Sequence, residues 1–427
     1  MQRIIAFGHQ TFSSLKVRNY RLYFIGQAVS LCGTWMQTIG QAWLVLKITG
    51  SGTALGVITA LQFLPILIFG PFGGVIADRF PKRKILYFTQ SLSGILALIL
   101  GILVMTDTVQ LWMVGVLALC LGMVNAIDNP TRQTFVLEMV DTEQLGNAVS
   151  LNSMEINLTR VIGPTIAGIL IAGVGLAWCF MINAFSYVGV LGALILMHER
   201  ELSPPPRVTR IRGQLMEGFR YIAATPLLRN TLLMMAVIGT LAYEFIVSLP
   251  LLAEFTFHAG PHGYAALTGA MGLGSVLGGL FFTARRHTAS PRLLIRAAML
   301  LGGAMLLAAI APNYTLAIIA LVLIGIFSIN FTSLGNVLLQ VESAPEMRGR
   351  VMALWTVAFL GSTPIGGPII GWIGEHQGPR WGIALGGLAA MAAAGLGAMT
   401  IGKASAFEIL ENIETSQETA AELGKRV

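Results

Sequence analysis

Apolar residues run along this chain in blocks of roughly twenty, the length a helix needs to cross a hydrocarbon core. Twelve blocks can be marked, at about 22–46, 54–77, 85–105, 110–131, 146–172, 176–197, 230–253, 262–284, 293–311, 315–340, 349–374 and 380–402. The pattern predicts an all-α integral membrane protein of twelve transmembrane helices, hereafter spans 1 to 12. The basic, aromatic stretch "FSSLKVRNYRLYF" ahead of span 1 contains no small-residue cleavage site, so the N-terminus is expected to stay on the side where it begins.

Composition supports this class. Charged residues make up 11% of the chain against 55% hydrophobic, with mean hydropathy +0.74, where a globular domain carries about 25% charged residues. The net charge of +7 would suit nucleic acid if it formed a patch. By these boundaries every Lys and Arg except Lys47, Arg380 and Arg160 falls on the side of the N-terminus. Positive loops resist translocation, so that side is expected to be cytoplasmic, with both termini inside and no surface for nucleic acid.

The spacing of the blocks divides the chain. Spans 6 and 7 are separated by the long segment "LMHERELSPPPRVTRIRGQLMEGFRYIAATPLLRN", rich in proline and arginine, with a short amphipathic helix expected around Met216 to Ile222. The organisation read from this is an N-terminal six-helix bundle (1–200), a cytoplasmic linker (201–228), a C-terminal bundle (229–402) and a cytoplasmic tail (403–427) whose Phe407, Leu410 and Ile413 suit a short amphipathic helix. Sliding one half over the other by about 204 residues places Gly73-Gly74 on Gly278-Gly279 and "GPTIAG" from Gly163 on "GPIIGW" from Gly367. Six spans per half is an even number, so the halves enter from the same side as a parallel, pseudo-symmetric repeat.

Polar residues inside spans are costly and therefore candidates for function. Arg160 lies deep in span 5, on a helical half shared with Asn152, Ser153, Glu155, Asn157 and Thr159, opposite Met154, Leu158 and Val161. It reads either as a substrate or coupling residue or as a structural cation paired with Glu155 or another carboxylate. Glu244 lies deep in span 7, where burial favours a proton carrier; a hydrogen-bonded structural acid is the alternative. Asp128, near the end of span 4 with Arg132 close by, reads first as a gate or salt bridge and second as a proton site. Cys32, Cys120 and Cys179 all fall within spans and read as packing residues, not a disulfide or metal framework. "FHAGPH" spaces His258 and His262 four apart, but Gly260 and Pro261 interrupt helical register, and no metal site is expected. "GAMTIGK" follows no strand and has Ala404 where a phosphate-binding loop needs a hydroxyl. With neither a catalytic constellation nor a nucleotide site, the chain is expected to be no enzyme and to use no cofactor.

The loop after span 2, "GGVIADRFPKRK", carries Gly74-x-x-x-Asp78-Arg79-x-x-Lys82-Arg83, and "RVIGPTIAG" follows in span 5. With six plus six spans and a long central loop, the chain resembles the major facilitator superfamily over residues 15–402. It departs from the usual loop signature at Pro81, where the family has glycine. "RVIGPTIAG" resembles part of a glycine-proline motif of drug:proton antiporters, and "DNPTRQTFVLEMV…LGNAVSLNSMEINLTRVIGP" is similar to a bacterial branch that includes siderophore and macrolide exporters.

The resemblance implies that Asp78, at the end of span 2, holds the halves together in the outward-open state, with Arg79, Lys82 and Arg83 tethering it. At the repeat position stands Thr283. It also implies that spans 1, 4, 7 and 10 line a central cavity with Trp35, Gln37, Gln41, Asn125, Tyr243, Glu244, Phe327, Asn330 and Phe331, which suits an amphipathic organic molecule. Gly163-Pro164 and Gly367-Pro368 read as packing and bending points.

The expectation is a monomeric bacterial inner-membrane transporter that exports a small, largely hydrophobic organic compound by alternating access, with Glu244 or Asp128 exchanging protons. A facilitator or importer, or a lipid translocase, would share the fold.

Overall fold

The computed structural model describes residues 13–203, 214–284 and 289–399. All regular elements among them are helical. The first half comprises span 1 (Arg18–Thr49), span 2 (Gly52–Arg79), span 3 (Lys82–Met105), span 4 (Leu111–Met139), span 5 (Thr142–Gly173) and span 6 (Ala177–Leu196). The second comprises span 7 (Pro226–Leu241 and Phe245–Leu251, continued by a wide turn over Leu252–Thr256), span 8 (Gly260–Ala284), span 9 (Pro291–Ile310), span 10 (Tyr314–Glu342), span 11 (Arg348–Leu360 and Thr363–His376) and span 12 (Pro379–Met399). The side on which span 1 begins is the near side; the side on which it ends is the far side.

Eleven of the spans are long and apolar enough to cross a membrane by length and composition alone, and span 1 falls short of that measure. Its 32 residues are ample for a crossing. Its hydropathy is lowered by one face, Gln27, Thr34, Thr38 and Gln41, which lines a cavity instead of meeting lipid. Spans 4 and 5 also run several residues beyond the apolar blocks, because their polar near ends stay helical while packed against neighbouring helices.

Two spans are broken. In span 11, Pro364 has no N–H to give the Leu360 carbonyl and its ring would clash with it, so the first helix stops at Leu360. In span 7 the helix stops at Leu241 and restarts at Phe245, with Glu244 between them; the Glu244 carbonyl accepts from Val247 N (3.1 Å) and Ser248 N (2.9 Å). No proline accounts for this second break.

The internal repeat reappears in the packing. Gly73 of span 2 lies against the Ala126 backbone of span 4, and Gly278 of span 8 lies against the Ile326 backbone of span 10, each with too little room for a side chain. Gly163 sets span 5 against Trp35 and Cys32 of span 1, and Gly366 sets span 11 against the Thr240 carbonyl of span 7.

Charged residues fasten the near end of the first half. Lys82 pairs with Glu138 at 2.6 Å, both 7% exposed. Arg83 donates to the Leu194 carbonyl at the end of span 6 and stacks over Tyr87. These partners lie within the first half, so Lys82 and Arg83 fasten its helices to one another; their expected tethering of Asp78 involves a side chain outside the described residues. Arg79 is exposed at the end of span 2. Removing one partner of a buried pair leaves the other charge uncompensated, at about 3–5 kcal/mol. Lys82→Met is therefore expected to lower the thermal unfolding temperature of the purified protein markedly; an unchanged temperature would show the pair to be dispensable.

The amphipathic helix expected in the linker forms over Gln214–Ala224. It docks on the second half, where Glu217 meets Arg350 at 2.8 Å and the Tyr221 hydroxyl accepts from Ala344 N at 3.0 Å. The expected tail helix and the side chains of Asp78 and Thr283 lie outside the described residues.

Candidate functional site

A cavity of about 360 Å³ is enclosed mainly by spans 1, 2, 4 and 5, with Ile246 of span 7 and Leu360 of span 11 completing it from the second half. Helical spacing builds its wall. Tyr23, Gln27, Thr34, Thr38 and Gln41 follow one face of span 1, Thr59, Gln62 and Phe63 occupy span 2, and Asn125, Asn129, Arg132 and Gln133 follow one face of span 4. Asn152 adds the seventh carboxamide. Such a wall offers donors and acceptors together with the aromatic faces of Tyr23, Trp35 and Phe63.

One charged side chain contributes to this wall, and it is neutralised. Arg132 pairs with Asp128 at 2.7 Å and donates to Gln27 Oε1 and Asn129 Oδ1, both at 3.1 Å. Asp128 is 2% exposed, and its other oxygen accepts from Thr89 Oγ1 at 2.6 Å and Gln90 Nε2 at 2.8 Å. Both Asp128 oxygens are thus engaged, joining spans 3 and 4, while Arg132 reaches span 1.

Trp35, Gln41 and Asn125 stand where the sequence placed them, on the cavity wall. Other expected lining residues do not. Gln37 is buried and accepts from Asn183 Nδ2 of span 6 at 2.6 Å, facing into its own half. Phe331 is completely buried in the core. Tyr243 donates to the Ser328 carbonyl at 3.1 Å and packs edge-on to Phe359, and Asn330 Nδ2 donates to the Ile326 carbonyl of its own helix. Glu155 shares a buried stripe with Leu151 and Thr159 and is not part of the wall. No ion pair joins it to Arg160, whose guanidinium lies over the Trp35 ring, 5.1 Å from its centroid. Of the polar half of span 5, Asn152 therefore reaches the cavity wall, Glu155 and Thr159 are buried, and Ser153 is exposed. Gln62, Asn129, Gln133 and the Thr34–Thr38 stripe were missed; their spacing at intervals of three and four was the available signal.

The two halves meet in close seams toward the far side. On span 2, Gly52 and Gly56 face Gly371, Gly367 and Pro368 of span 11, backbone to backbone; a methyl on Gly52 would lie 2.6 Å from the Gly371 carbonyl oxygen. Gly168 of span 5 likewise lies against Ala265 of span 8, and Gly272 of span 8 against Val161. Small residues at such spacing let helices approach closely within a membrane.

A polar clasp closes the same end. Glu375, from span 11, accepts from Ser51 Oγ at 2.7 Å and from Thr53 N at 2.8 Å. It thus places a carboxylate at the positive N-terminus of span 2, while Ser51 Oγ also caps that helix by accepting from Ala54 N. Glu375 is exposed, so its effect is modest. Glu375→Ala is expected to raise the population with an open far side by roughly two- to fivefold, the range for a charge at an exposed helix terminus, as read by spin-label distances between Lys47→Cys and Gln377→Cys; an unchanged distribution would leave the clasp without effect.

Glu244 sits at the break in span 7, 2% exposed, with Oε1 lacking a hydrogen-bond partner. It lies against the first turn of the second span 11 helix, where Oε1 would be 2.8 Å from a methyl on Gly366. The break and the glycine together make room for an acid between spans 7 and 11.

A family model described as transmembrane secretion effector matches residues 9–422. The chain belongs to the transmembrane secretion effector family. Enterobactin exporter EntS of Shigella flexneri is 26% identical over 389 residues, covering 90% of each chain, and EntS of Escherichia coli O157:H7 (strain EC4115 / EHEC) is 26% identical over 387 residues with the same coverage. Among solved structures, a bacterial homolog to the human lysosomal transporter Spinster, inward-facing and occupied, matches with TM-score 0.68 and 16% identity over 90% of this chain and 97% of that one. Nucleoside transporter NupG matches with TM-score 0.68 and 14% identity over 91% and 99%. These structures establish the twelve-helix, two-bundle major facilitator fold. The secretion effector described here is a multi-pass membrane transporter and not an enzyme.

Proposed function

We propose that this protein exports a small amphipathic organic compound across the bacterial inner membrane by exchange for protons. The observation that carries the reading is the cavity: a wall of carboxamides, hydroxyls and aromatic faces, with glycine seams and the Glu375 clasp joining the halves beyond it on the far side. With the basic near side in the cytoplasm, this is the arrangement of a carrier ready to receive cargo from inside. The 26% identity with enterobactin exporters over 90% of the chain favours export over import.

Glu244 is the proposed coupling group. Its unpartnered oxygen can hold or release a proton, whereas both oxygens of Asp128 are already committed to Arg132, Thr89 and Gln90. Asp78, at the near end of span 2, is proposed to hold the halves together when the far side opens, a counterpart to the Glu375 clasp at the opposite end.

Inverted membrane vesicles test the direction. With an imposed proton gradient, hydrophobic dyes, antibiotics and siderophore-like compounds should be screened for accumulation that ends when an ionophore collapses the gradient. Equilibration that ignores the gradient would mark a facilitator instead.

A further inference from the structure

Arg160 is a charge without a counter-charge. It lies eighteen positions past the start of span 5, about 27 Å along the helix from Thr142 and about 20 Å from Gly173, well within the hydrocarbon depth. Among the described residues no carboxylate forms an ion pair with it, and its Nε has no hydrogen-bond partner. The acid nearest in sequence, Glu155, is buried in a stripe with Leu151 and Thr159 and forms no ion pair with it. A lone cation at this depth is costly to insert and marks a functional site.

Its placement is specific. Gly163 brings span 5 against the Cβ of Trp35, 2.5 Å from where a methyl on the glycine would stand. Arg160, three residues earlier, shares that helix face. The guanidinium is thereby set over the Trp35 ring, 5.1 Å from its centroid, and Trp35 is on the cavity wall. Stacking partly offsets the charge and holds the planar group still, while its Nε is left without a hydrogen-bond partner. Arg132, the one charged side chain on the cavity wall itself, is already neutralised by Asp128.

We propose that Arg160, held against Trp35, docks an anionic oxygen group, a carboxylate or comparable oxyanion, on the transported molecule. Planar guanidinium suits such a group because two of its N–H bonds can meet two oxygens at once. The proposal rests on the transport reading above and adds a charge requirement for the cargo.

The test compares a matched pair of probes, 1-naphthaleneacetate and its neutral amide, 1-naphthaleneacetamide, binding to purified wild type, Arg160→Gln and Arg160→Lys by calorimetry. Wild type is expected to bind the acid at least tenfold more tightly than the amide. Arg160→Gln should erase that preference while leaving affinity for the amide unchanged, and Arg160→Lys, which keeps the charge and guards against failure of the first variant to fold, should retain a reduced preference. Absence of any preference in wild type, including failure to bind either probe, overturns the proposal, as does a full preference in Arg160→Gln or none in folded Arg160→Lys. Binding needs no proton gradient, so energised accumulation of neutral compounds would uphold the export reading even if the anion site failed.

Discussion

Gly56→Val is expected to abolish transport by preventing closure of the far side. Gly56 meets the Gly367 carbonyl across the seam, and a methyl there would also come within 2.9 Å of Pro368 Cα. Both obstacles are backbone or ring atoms of a packed helix, so neither can rotate away. Overpacking of this kind costs about 1–3 kcal/mol, and a 3 kcal/mol shift changes an equilibrium by roughly a hundredfold. Spin labels at Lys47→Cys and Gln377→Cys should report the change as a move to longer distances, with turnover falling in parallel. On the proposed alternating-access reading the seam parts when the far side opens, so folding should be preserved. Wild-type distances together with lost transport would place the defect elsewhere.

Glu244→Gln is expected to separate cargo movement from proton movement. Glutamine keeps nearly the same shape between the span 7 break and Gly366 but cannot take up a proton at that position. Substrate-evoked proton flux should fall to the level of protein-free liposomes, while exchange of labelled for unlabelled substrate across the membrane should continue. Loss of both would make Glu244 a structural residue; retention of both would remove it from coupling.

The spans were legible because a bilayer imposes a length and a polarity on each of them. The repeat was legible for a related reason: Gly73 and Gly278 must each allow a partner helix close to the backbone, so the small residue recurs. Span ends were less visible, since hydropathy reports the portion in lipid while the helix continues through polar ends such as Arg132 and Glu138, held by their ion pairs. The faces of a span were harder still. Gln37 and Gln41 are four residues apart and chemically identical, yet one faces Asn183 and the other the cavity wall; helical periodicity alone gives no origin for the rotation.

The far-side clasp is not legible in any local stretch of sequence. Glu375 looks like a solvated acid at the end of a helix, and its partner Thr53 is 322 positions away, so no local pattern connects them. The break at Glu244 likewise has no proline to announce it. Its setting comes from Gly366, on a helix that local sequence does not bring near.

The most direct test of proton-coupled export follows lumenal pH in proteoliposomes holding the wild-type protein, with a pH gradient imposed and candidate substrates added one at a time. Exchange for protons predicts that a transported compound evokes a proton flux opposite to its own movement, in proportion to the amount carried. Substrate movement at full rate with no accompanying proton flux would contradict it.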